Sequence, residues 1–312
     1  MADEAAFHTS RMTLIRLART TLATVAAATA VALPAIGSAS TEPVSGGSLR
    51  ILMVNDDGWD GGGLLVLRQA LLDAGHDVVV FAPADDQSGN SGRITLGEPV
   101  EITQHEPGVF SVGGSPADSV EAGMSLAFAG ELPDLVVSGP NPGANIADAT
   151  IHSGTIGAAM TAVNEGVPAI AVSTNGDPTV DGVTNPFVVD LVAALVEHAA
   201  GEPLLPDRLG LNVNIPSVAA GGELTSVEIT ATDTSYIEID YSAVELPAVG
   251  ASVEAAGAIS IVPTALDGSD SAALDAGHVA ITFVQGNYDA LVDRAVVAGV
   301  EDLTPVLTGL AG

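Results

Sequence analysis

The sequence contains no cysteine, no lysine and few aromatic residues. The absence of cysteine excludes disulfide bonds, thiolate catalysis, thiolate metal sites and a lipid-anchored cysteine. Aromatic residues make up 3% of the chain and apolar residues 47%, so a core must be built mainly from Val, Leu, Ile and Ala. With 312 residues, the chain is long enough for one large α/β domain or two small ones.

Positive charge is also scarce. Eight basic residues, all arginine, stand against 39 acidic residues, and the net charge is −31 at pH 7. Such a surface repels nucleic-acid polymers and anionic lipid, so we expect neither as a partner, and it resembles the surface of proteins from saline habitats. An anionic substrate would need a cation in its site to offset this field.

Residues 1–40 are predicted to be a secretory signal peptide. Three arginines precede an apolar stretch at 20–36, and small residues at 37–39 offer a cleavage site near Ala39 or Ser40. The alternative is an uncleaved membrane anchor, which the short apolar run and Pro34 disfavour. Cleavage predicts a periplasmic or extracellular protein without membrane attachment.

Removal of residues 1–40 would take away three arginines and two acids, leaving a net charge of −32. Residues 41–48 are predicted to be a flexible linker. The remaining residues, 49–312, are then one domain.

The domain opens with an apolar run at 49–54 that ends abruptly in Asn55, Asp56, Asp57 and Gly58. This pattern predicts a strand buried on both faces of a parallel sheet, with the polar residues at its carboxyl end, where ligands of α/β sheets bind. Adjacent carboxylates repel each other unless a cation or protons lie between them, and such oxygen ligands suit Mg²⁺, Mn²⁺ or Ca²⁺. The alternative is a solvated turn.

Further strands and helices alternate along the chain and predict a Rossmann-like α/β sandwich with a mostly parallel sheet. Strands are expected at 77–81, 133–139, 167–173 and 211–216, the last closing the main sheet, with helices after 64, 115, 155 and 186. The glycines at 61–63 lack the spacing of a dinucleotide-binding loop. After Glu223, β-branched runs at 227–232, 236–240 and 258–262 predict a hairpin-rich extension over about 223–265. A strand at 278–284 and a closing helix at 288–298 should follow.

Ser153, Gly154 and Thr155 stand at a predicted helix start that follows a strand end. Free backbone N–H groups and the positive end of the helix dipole make this a candidate phosphate cradle. The alternative is ordinary capping by Ser153. The preceding His152 is either a general acid or a polar loop residue.

Taken in order, these motifs resemble the survival protein SurE family of metal-dependent 5′/3′-nucleotidases. The opening motif, the Ser88 loop and the segments 114–118, 138–145 and 153–155 carry the resemblance, which extends over roughly 49–284. It implies a metal site formed by Asp56, Asp57, Ser88 and Asn141, with the two aspartates also catalytic. It further implies a phosphate pocket lined by Asn145, Ser153, Gly154 and Thr155. The segment at 269–281 matches the family's last core segment.

The resemblance implies an acid-phosphatase-like phosphoric monoester hydrolase that acts on nucleoside 5′- or 3′-monophosphates. The cofactor would be Mg²⁺ or Mn²⁺, with Ca²⁺ as a third option, and the assembly a homodimer or homotetramer. Whether an aspartate or an activated water is the nucleophile stays open. Pro140, Pro142 and His152 depart from the family's usual residues, which leaves substrate preference and loop shape open.

Two other functions compete with this interpretation. The stretch 61–83 resembles the opening unit of sugar-nucleotide-dependent glycosyltransferases, but it leaves the carboxylate pair unexplained. An exported binding protein could keep the fold and the metal without turnover. Release of phosphate from nucleoside monophosphates, with and without chelator, separates the three.

Overall fold

The computed structural model describes residues 47–128, 131–218, 222–234, 236–241, 244–254, 258–262, 266–285 and 294–310. The signal-peptide prediction for residues 1–40 and nearly all of the linker lie outside these ranges. Within them, no helix is both long and apolar enough to cross a membrane.

Strands and helices alternate through the first two thirds of the domain. In chain order they are β1 (Arg50–Val54), α1 (Leu64–Asp73), β2 (Asp77–Pro83), β3 (Ile102–Glu106), β4 (Val109–Val112), α2 (Pro116–Ala127), β5 (Leu135–Pro142), a 3₁₀ helix (Ala147–His152), α3 (Gly154–Asn164), β6 (Ala169–Thr174), α4 (Thr184–Ala199) and β7 (Leu209–Ile215). The remainder comprises β8 (Val227–Ile229), β9 (Tyr236–Asp240), β10 (Ala258–Val262), α5 (Asp270–Asp275), β11 (Val279–Gln285) and α6 (Arg294–Thr308).

Nine of these strands form one sheet in the order β3-β4-β2-β1-β5-β6-β7-β11-β8. The six inner strands from β4 to β7 are mutually parallel, whereas β3 and β11 run antiparallel to their inner neighbours. The predicted mostly parallel α/β fold is therefore confirmed. The direction of winding reverses between β1 and β5, and the crevice at such a reversal is where α/β sheets bind ligands.

β1 is buried on both faces, as its unbroken apolar run predicts. Ile51 and Met53 contribute to one core cluster, and Leu52 and Val54 to the other. Helices α1 and α4 cover the first cluster, and α2 and α3 cover the second. The strand is thus fixed from both sides, so the residues that follow it start from a rigid position.

Two predicted helix starts are confirmed. Ser115 caps α2 in a reciprocal arrangement with Asp118, and Ser153 caps α3 by accepting a hydrogen bond from Ile156 N–H at 3.2 Å. Each cap satisfies backbone donors that a helix start leaves free.

Several predictions about the edges of the sheet are wrong. β7 does not close the sheet, because β11 and β8 add to it beyond β7. The run at 227–232 supplies β8 of the main sheet rather than a hairpin, whereas β9 and β10 pair as a separate two-stranded antiparallel sheet, as predicted. The closing helix runs over Arg294–Thr308 instead of 288–298, and part of the predicted range lies outside the described residues.

Candidate active site at the end of the first strand

Asp56 lies at the carboxyl end of β1, against the start of α3. It is 3% exposed, and its Oδ1 accepts a hydrogen bond from the Thr155 hydroxyl at 2.6 Å. A Cβ placed on Gly154 would lie 2.7 Å from Asp56 Cβ, so only glycine lets the helix approach this closely. Burial raises the pKa of Asp56, while the hydrogen bonds from Thr155 oppose that rise.

Asp57 occupies the same strand end but has no comparable support. Its Oδ2 is buried and has no hydrogen-bond partner among the described residues. The glycine loop closes over it: a Cβ on Gly62 would lie 2.3 Å from Oδ2 and 3.1 Å from Pro140 O. Burial, with smaller contributions from the nearby carboxylates of Asp56 and Asp86, raises the pKa of Asp57 to about 7. A carboxylate in this position lacks compensation for its charge.

Ser88 lies on the loop that follows β2, and this loop is tied to Asp56. Gln87 N–H donates to Asp56 O at 2.7 Å, which places the next residue beside the strand end. Ser88 itself is exposed, and its N–H donates to Asp86 Oδ1 at 2.8 Å. Hydrogen bonds from the Ser88 backbone and hydroxyl lower the pKa of Asp86. The Ser88 hydroxyl therefore faces Asp86.

Asn141 lies near the end of β5, the strand next to β1. It is half-buried, and its Nδ2 donates to Gly143 O at 2.8 Å. That bond takes up a donor of the amide and leaves Oδ1, the atom suited to a hard cation, outside it. A Cβ on Gly62 would lie close to both Asp57 Oδ2 and Pro140 O, so the backbone directly before Asn141 lies near the Asp57 carboxylate.

The four residues predicted to bind phosphate come together around Thr155. Asn145 Nδ2 donates to Ser173 Oγ at 2.8 Å and to Thr155 Oγ1 at 3.4 Å. Ser153, Gly154 and Thr155 are buried at the first turn of α3. The Thr155 hydroxyl is already committed to Asp56, and the two protons of Asn145 Nδ2 are committed to Ser173 and Thr155. Ser153 and Gly154 at the helix start are therefore the members with groups left for a phosphate.

These side chains offer only oxygen donors, which suit a hard divalent cation. Within the described ranges, no group of three or more His, Asp or Glu side chains is arranged to hold a metal ion. An ion here would instead rely on the two carboxylates of Asp56 and Asp57, together with neutral oxygens. The uncompensated Oδ2 of Asp57 is the feature that such an ion would satisfy.

His152 and Pro142 are exposed, whereas Pro140 is buried beside the glycine loop that covers Asp57. His152 ends the 3₁₀ helix and is exposed, and its carbonyl accepts a hydrogen bond from Ser91 N–H at 3.2 Å. Pro140 and Pro142 both belong to the extended end of β5.

Sequence reasoning missed several polar residues that line or support the site. Asp86 adds negative charge near Asp57, and Ser173 on β6 accepts from Asn145. Asn212 and Asn214 on β7 bind the backbone of Asn145. Two asparagines alternating with Leu211, Val213 and Ile215 were the available signal, because polar residues on one face of a buried strand need partners.

Comparisons with known proteins identify relatives of this chain. The family model for survival protein SurE matches residues 51–238. The 5′-nucleotidase SurE of Nitrosomonas europaea is 37% identical over 242 residues, covering 76% of this chain and 93% of that protein. The 5′-nucleotidase SurE of Stenotrophomonas maltophilia is 37% identical over 243 residues, covering 76% and 90%.

A similar solved structure supports the fold. The crystal structure of the SurE protein from Aquifex aeolicus superposes with a TM-score of 0.61 at 28% sequence identity. The match covers 77% of this chain and 94% of that one.

Proposed function

This chain belongs to the SurE survival-protein family, and from that premise we propose that it hydrolyses nucleoside 5′- or 3′-monophosphates to nucleoside and phosphate. Its similar relatives are named 5′-nucleotidases, which are phosphoric monoester hydrolases. The observation that carries the proposal is the buried Oδ2 of Asp57, which has no partner among the described residues and lies beside Asp56 at the reversal of the sheet.

A divalent cation held by Asp56 and Asp57 accounts for that observation. Asn141 would contribute an amide oxygen. The Ser88 hydroxyl would become a further ligand by turning from Asp86 to the ion. An all-oxygen set of this kind fits Mg²⁺ or Mn²⁺, with Ca²⁺ as a third candidate. When bound, such an ion polarises a phosphoryl oxygen and lowers the pKa of the attacking water.

The chain's own groups would bind and orient the phosphate. The first turn of α3, with Ser153 and Gly154, would direct its positive end at the phosphate. Asn145 would line the same pocket, where its Nδ2 is held by Ser173 and Thr155. The Thr155 hydroxyl holds Asp56 in place by donating to Oδ1. Transfer of a phosphoryl group depends mainly on such positioning and electrostatic stabilisation.

Among the described arginines, Arg50 and Arg68 contribute little of the required positive charge. Arg50 pairs with Glu131 and Asp134, and Arg68 pairs with Glu106. Arg93 is exposed on the loop that carries Ser88. We therefore assign most of the neutralisation of the phosphate to the cation and the helix start.

The test is a phosphate-release assay on a panel of nucleoside 5′- and 3′-monophosphates. Protein stripped with chelator should release no phosphate, and added Mg²⁺ or Mn²⁺ should restore release from at least one nucleotide. A sugar-nucleotide consumed without phosphate release would favour the glycosyltransferase-like function. Folded protein that turns over no substrate with any of the three ions would contradict the proposal, and nucleotide binding without turnover would favour a binding protein. Neither alternative gains support from the comparisons.

We also propose that the protein is exported after removal of residues 1–40. The basic segment, the apolar stretch and the small residues at 37–39 support this. N-terminal sequencing of protein from its native host should begin near Ser40 or Thr41. A mature chain that starts at Met1 or Ala2 would contradict export by cleavage.

We further propose a homodimer or homotetramer in which the hairpin formed by β9 and β10 exchanges contacts between subunits. The support is the family resemblance, together with the separation of this hairpin from the nine-stranded sheet. Light scattering should give at least a dimer, and deletion of 236–262 should reduce the oligomer. A monomeric wild-type protein, or an unchanged oligomer after the deletion, would count against it.

A further inference from the structure

Two asparagines on β7 are fully buried, although the function proposed above gives them no role. Asn212 and Asn214 lie on one face of the strand because side chains alternate along it. The residues that alternate with them belong to the core cluster that α1 and α4 cover; they are Leu211, Val213 and Ile215. Burying two amides is unfavourable unless each is hydrogen-bonded, so their partners indicate what they do.

Those partners are the backbone groups of a single residue, Asn145. Asn214 Oδ1 accepts from Asn145 N–H at 2.8 Å, while Nδ2 of Asn214 donates to Asn145 O at 3.0 Å. Asn212 Nδ2 donates to the same oxygen at 2.9 Å. A backbone N–H only donates and a carbonyl only accepts, so the orientation of both amides is fixed by chemistry.

A chain of hydrogen bonds continues from Asn145 to the carboxylate end of β1. The Asn145 amide donates to Thr155 Oγ1 at 3.4 Å, and the Thr155 hydroxyl donates to Asp56 Oδ1 at 2.6 Å. A hydroxyl has one proton, so Thr155 can serve Asp56 only if it accepts from Asn145. The order of donors is therefore set from the Asn145 side chain through Thr155 to Asp56, while β7 holds the Asn145 backbone.

The remaining amide groups of the pair are also satisfied. Asn212 Nδ2 reaches Thr282 Oγ1 at 3.1 Å, and Asn214 Nδ2 reaches Asn212 Oδ1 at 3.3 Å. A fully bonded buried network holds one arrangement more rigidly than an apolar pair would. We propose that Asn212 and Asn214 are positioning residues that fix Asn145 and, through Thr155, the orientation of Asp56. This inference rests on the proposed function and deepens it.

The segment after Asn145 has a second, separate anchor. Asp270 is fully buried, and its Oδ2 accepts a hydrogen bond from Ala147 N–H at 3.0 Å. Loss of one asparagine should therefore shift the Asn145 side chain without releasing the whole segment. That makes a substitution on β7 a usable probe.

The test is a double-mutant cycle between Asn214→Leu and Asn145→Ala, followed as kcat/KM for the best nucleoside monophosphate of the panel. Leucine keeps the size of asparagine and removes both bonds to Asn145. We expect Asn214→Leu to lower kcat/KM about tenfold or more in the wild-type background. In the Asn145→Ala background, Asn214→Leu should lower kcat/KM by a much smaller factor, because the Asn145 side chain that Asn214 positions is already absent.

Val213→Ala is the matched control, since it weakens the core under the same strand and leaves both amides intact. It should lower Tm without changing kcat/KM. Should Asn214→Leu give no folded protein by circular dichroism, Asn214→Ser and Asn212→Ser replace it in the cycle.

Three results would overturn the inference. They are an equal loss in both backgrounds, no loss in the wild-type background, or a Val213→Ala variant as impaired as Asn214→Leu. A wild-type protein that releases no phosphate would instead overturn the proposed function itself, so the two failures are distinguishable.

Discussion

At the scale of single residues, Asp56 and Asp57 show how neighbours in sequence take different roles. Asp56 is held by Thr155, whereas Asp57 Oδ2 has no hydrogen-bond partner among the described residues. Gly62 and Gly154 allow the surrounding backbone to approach both carboxylates. The result is one oriented carboxylate and one that a cation would stabilise.

Asp57 should make the stability of the metal-free protein depend on pH. Its pKa in the folded state is raised to about 7, whereas an unperturbed Asp has a pKa of about 3.9. The folded state then binds the proton more tightly than the unfolded chain. This contribution to stability is complete below about pH 4 and is lost as the pH rises through about 7.

We therefore expect the Tm of chelator-treated wild-type protein to fall between pH 5 and pH 8 relative to that of Asp57→Asn, which cannot ionise. Asp60→Asn, at an exposed position three residues further on, should follow the wild type. Thermal melts across this range check the prediction. Parallel curves for wild type and Asp57→Asn would show that the Asp57 carboxylate carries no such penalty.

The sequence was sufficient to place the two carboxylates of the candidate site at a strand end, but not to predict which residues support them. The abrupt change from apolar to polar residues at Asn55 places the carboxylates at a strand end, and that inference needs only local pattern. The bond from Thr155 to Asp56 joins residues 99 positions apart, and Asn214 lies 69 positions from Asn145. Such partners depend on sheet order, which local patterns do not determine.

At the scale of elements, the loop carrying Ser88 rests on the first turns of α3. A Cβ on Gly157 would lie 2.2 Å from Ser91 C and O and 2.5 Å from Gly92 N. The glycine therefore allows this loop to lie against the helix. A side chain there would displace backbone, which cannot move aside as a flexible side chain can.

Gly157→Ala should consequently reduce activity, although alanine favours helix by about 0.5–1 kcal/mol over glycine. We expect lower kcat/KM, weaker ion binding and no gain in Tm, because the displaced loop offsets the gain in helix propensity. Asn164→Ala, at the exposed end of the same helix, should leave kcat/KM, ion binding and Tm close to their wild-type values. A Gly157→Ala variant with higher Tm and unchanged kinetics would show that the contact has no functional role.

The features that the sequence did not predict lie at the edges of the sheet, where local signals are weak or the pairing is long-range. β3 is exposed along its whole length and lacks an apolar face, so periodicity gives no signal for it. β4 has only four residues. β11 and β8 extend the sheet beyond β7 through pairings between distant segments, whereas the inner strands were recognisable from their continuous apolar runs.

At the scale of the whole molecule, the net charge of −31 should limit stability at low salt. Like charges repel over a screening length of about 30 Å at 0.01 M salt and about 3 Å at 1 M. Tm should therefore rise with NaCl concentration over this range. The titration uses a chloride salt because sulfate stabilises proteins by exclusion from their surfaces, which would mask the effect of screening. A flat or falling curve would show that self-repulsion does not limit stability.

The same acidity bears on catalysis, since a phosphate monoester must approach a strongly negative protein. Arg50 and Arg68 are engaged in ion pairs with acidic residues. We therefore expect the compensating charge at Asp56 and Asp57, as a bound divalent ion.

The most direct test compares Asp57→Asn with Asp60→Asn in ion affinity and turnover together. Trp59, the chain's single tryptophan, lies between the two positions and stacks on His105 at 3.7 Å between ring centroids. Its fluorescence offers an internal signal for Mn²⁺ or Mg²⁺ titration, with calorimetry as the independent measure. Asp57→Asn should lose ion affinity and lower phosphate release about a hundredfold or more, while Asp60→Asn retains both. Asp57→Asn that binds the ion and releases phosphate as the wild type does would contradict the account.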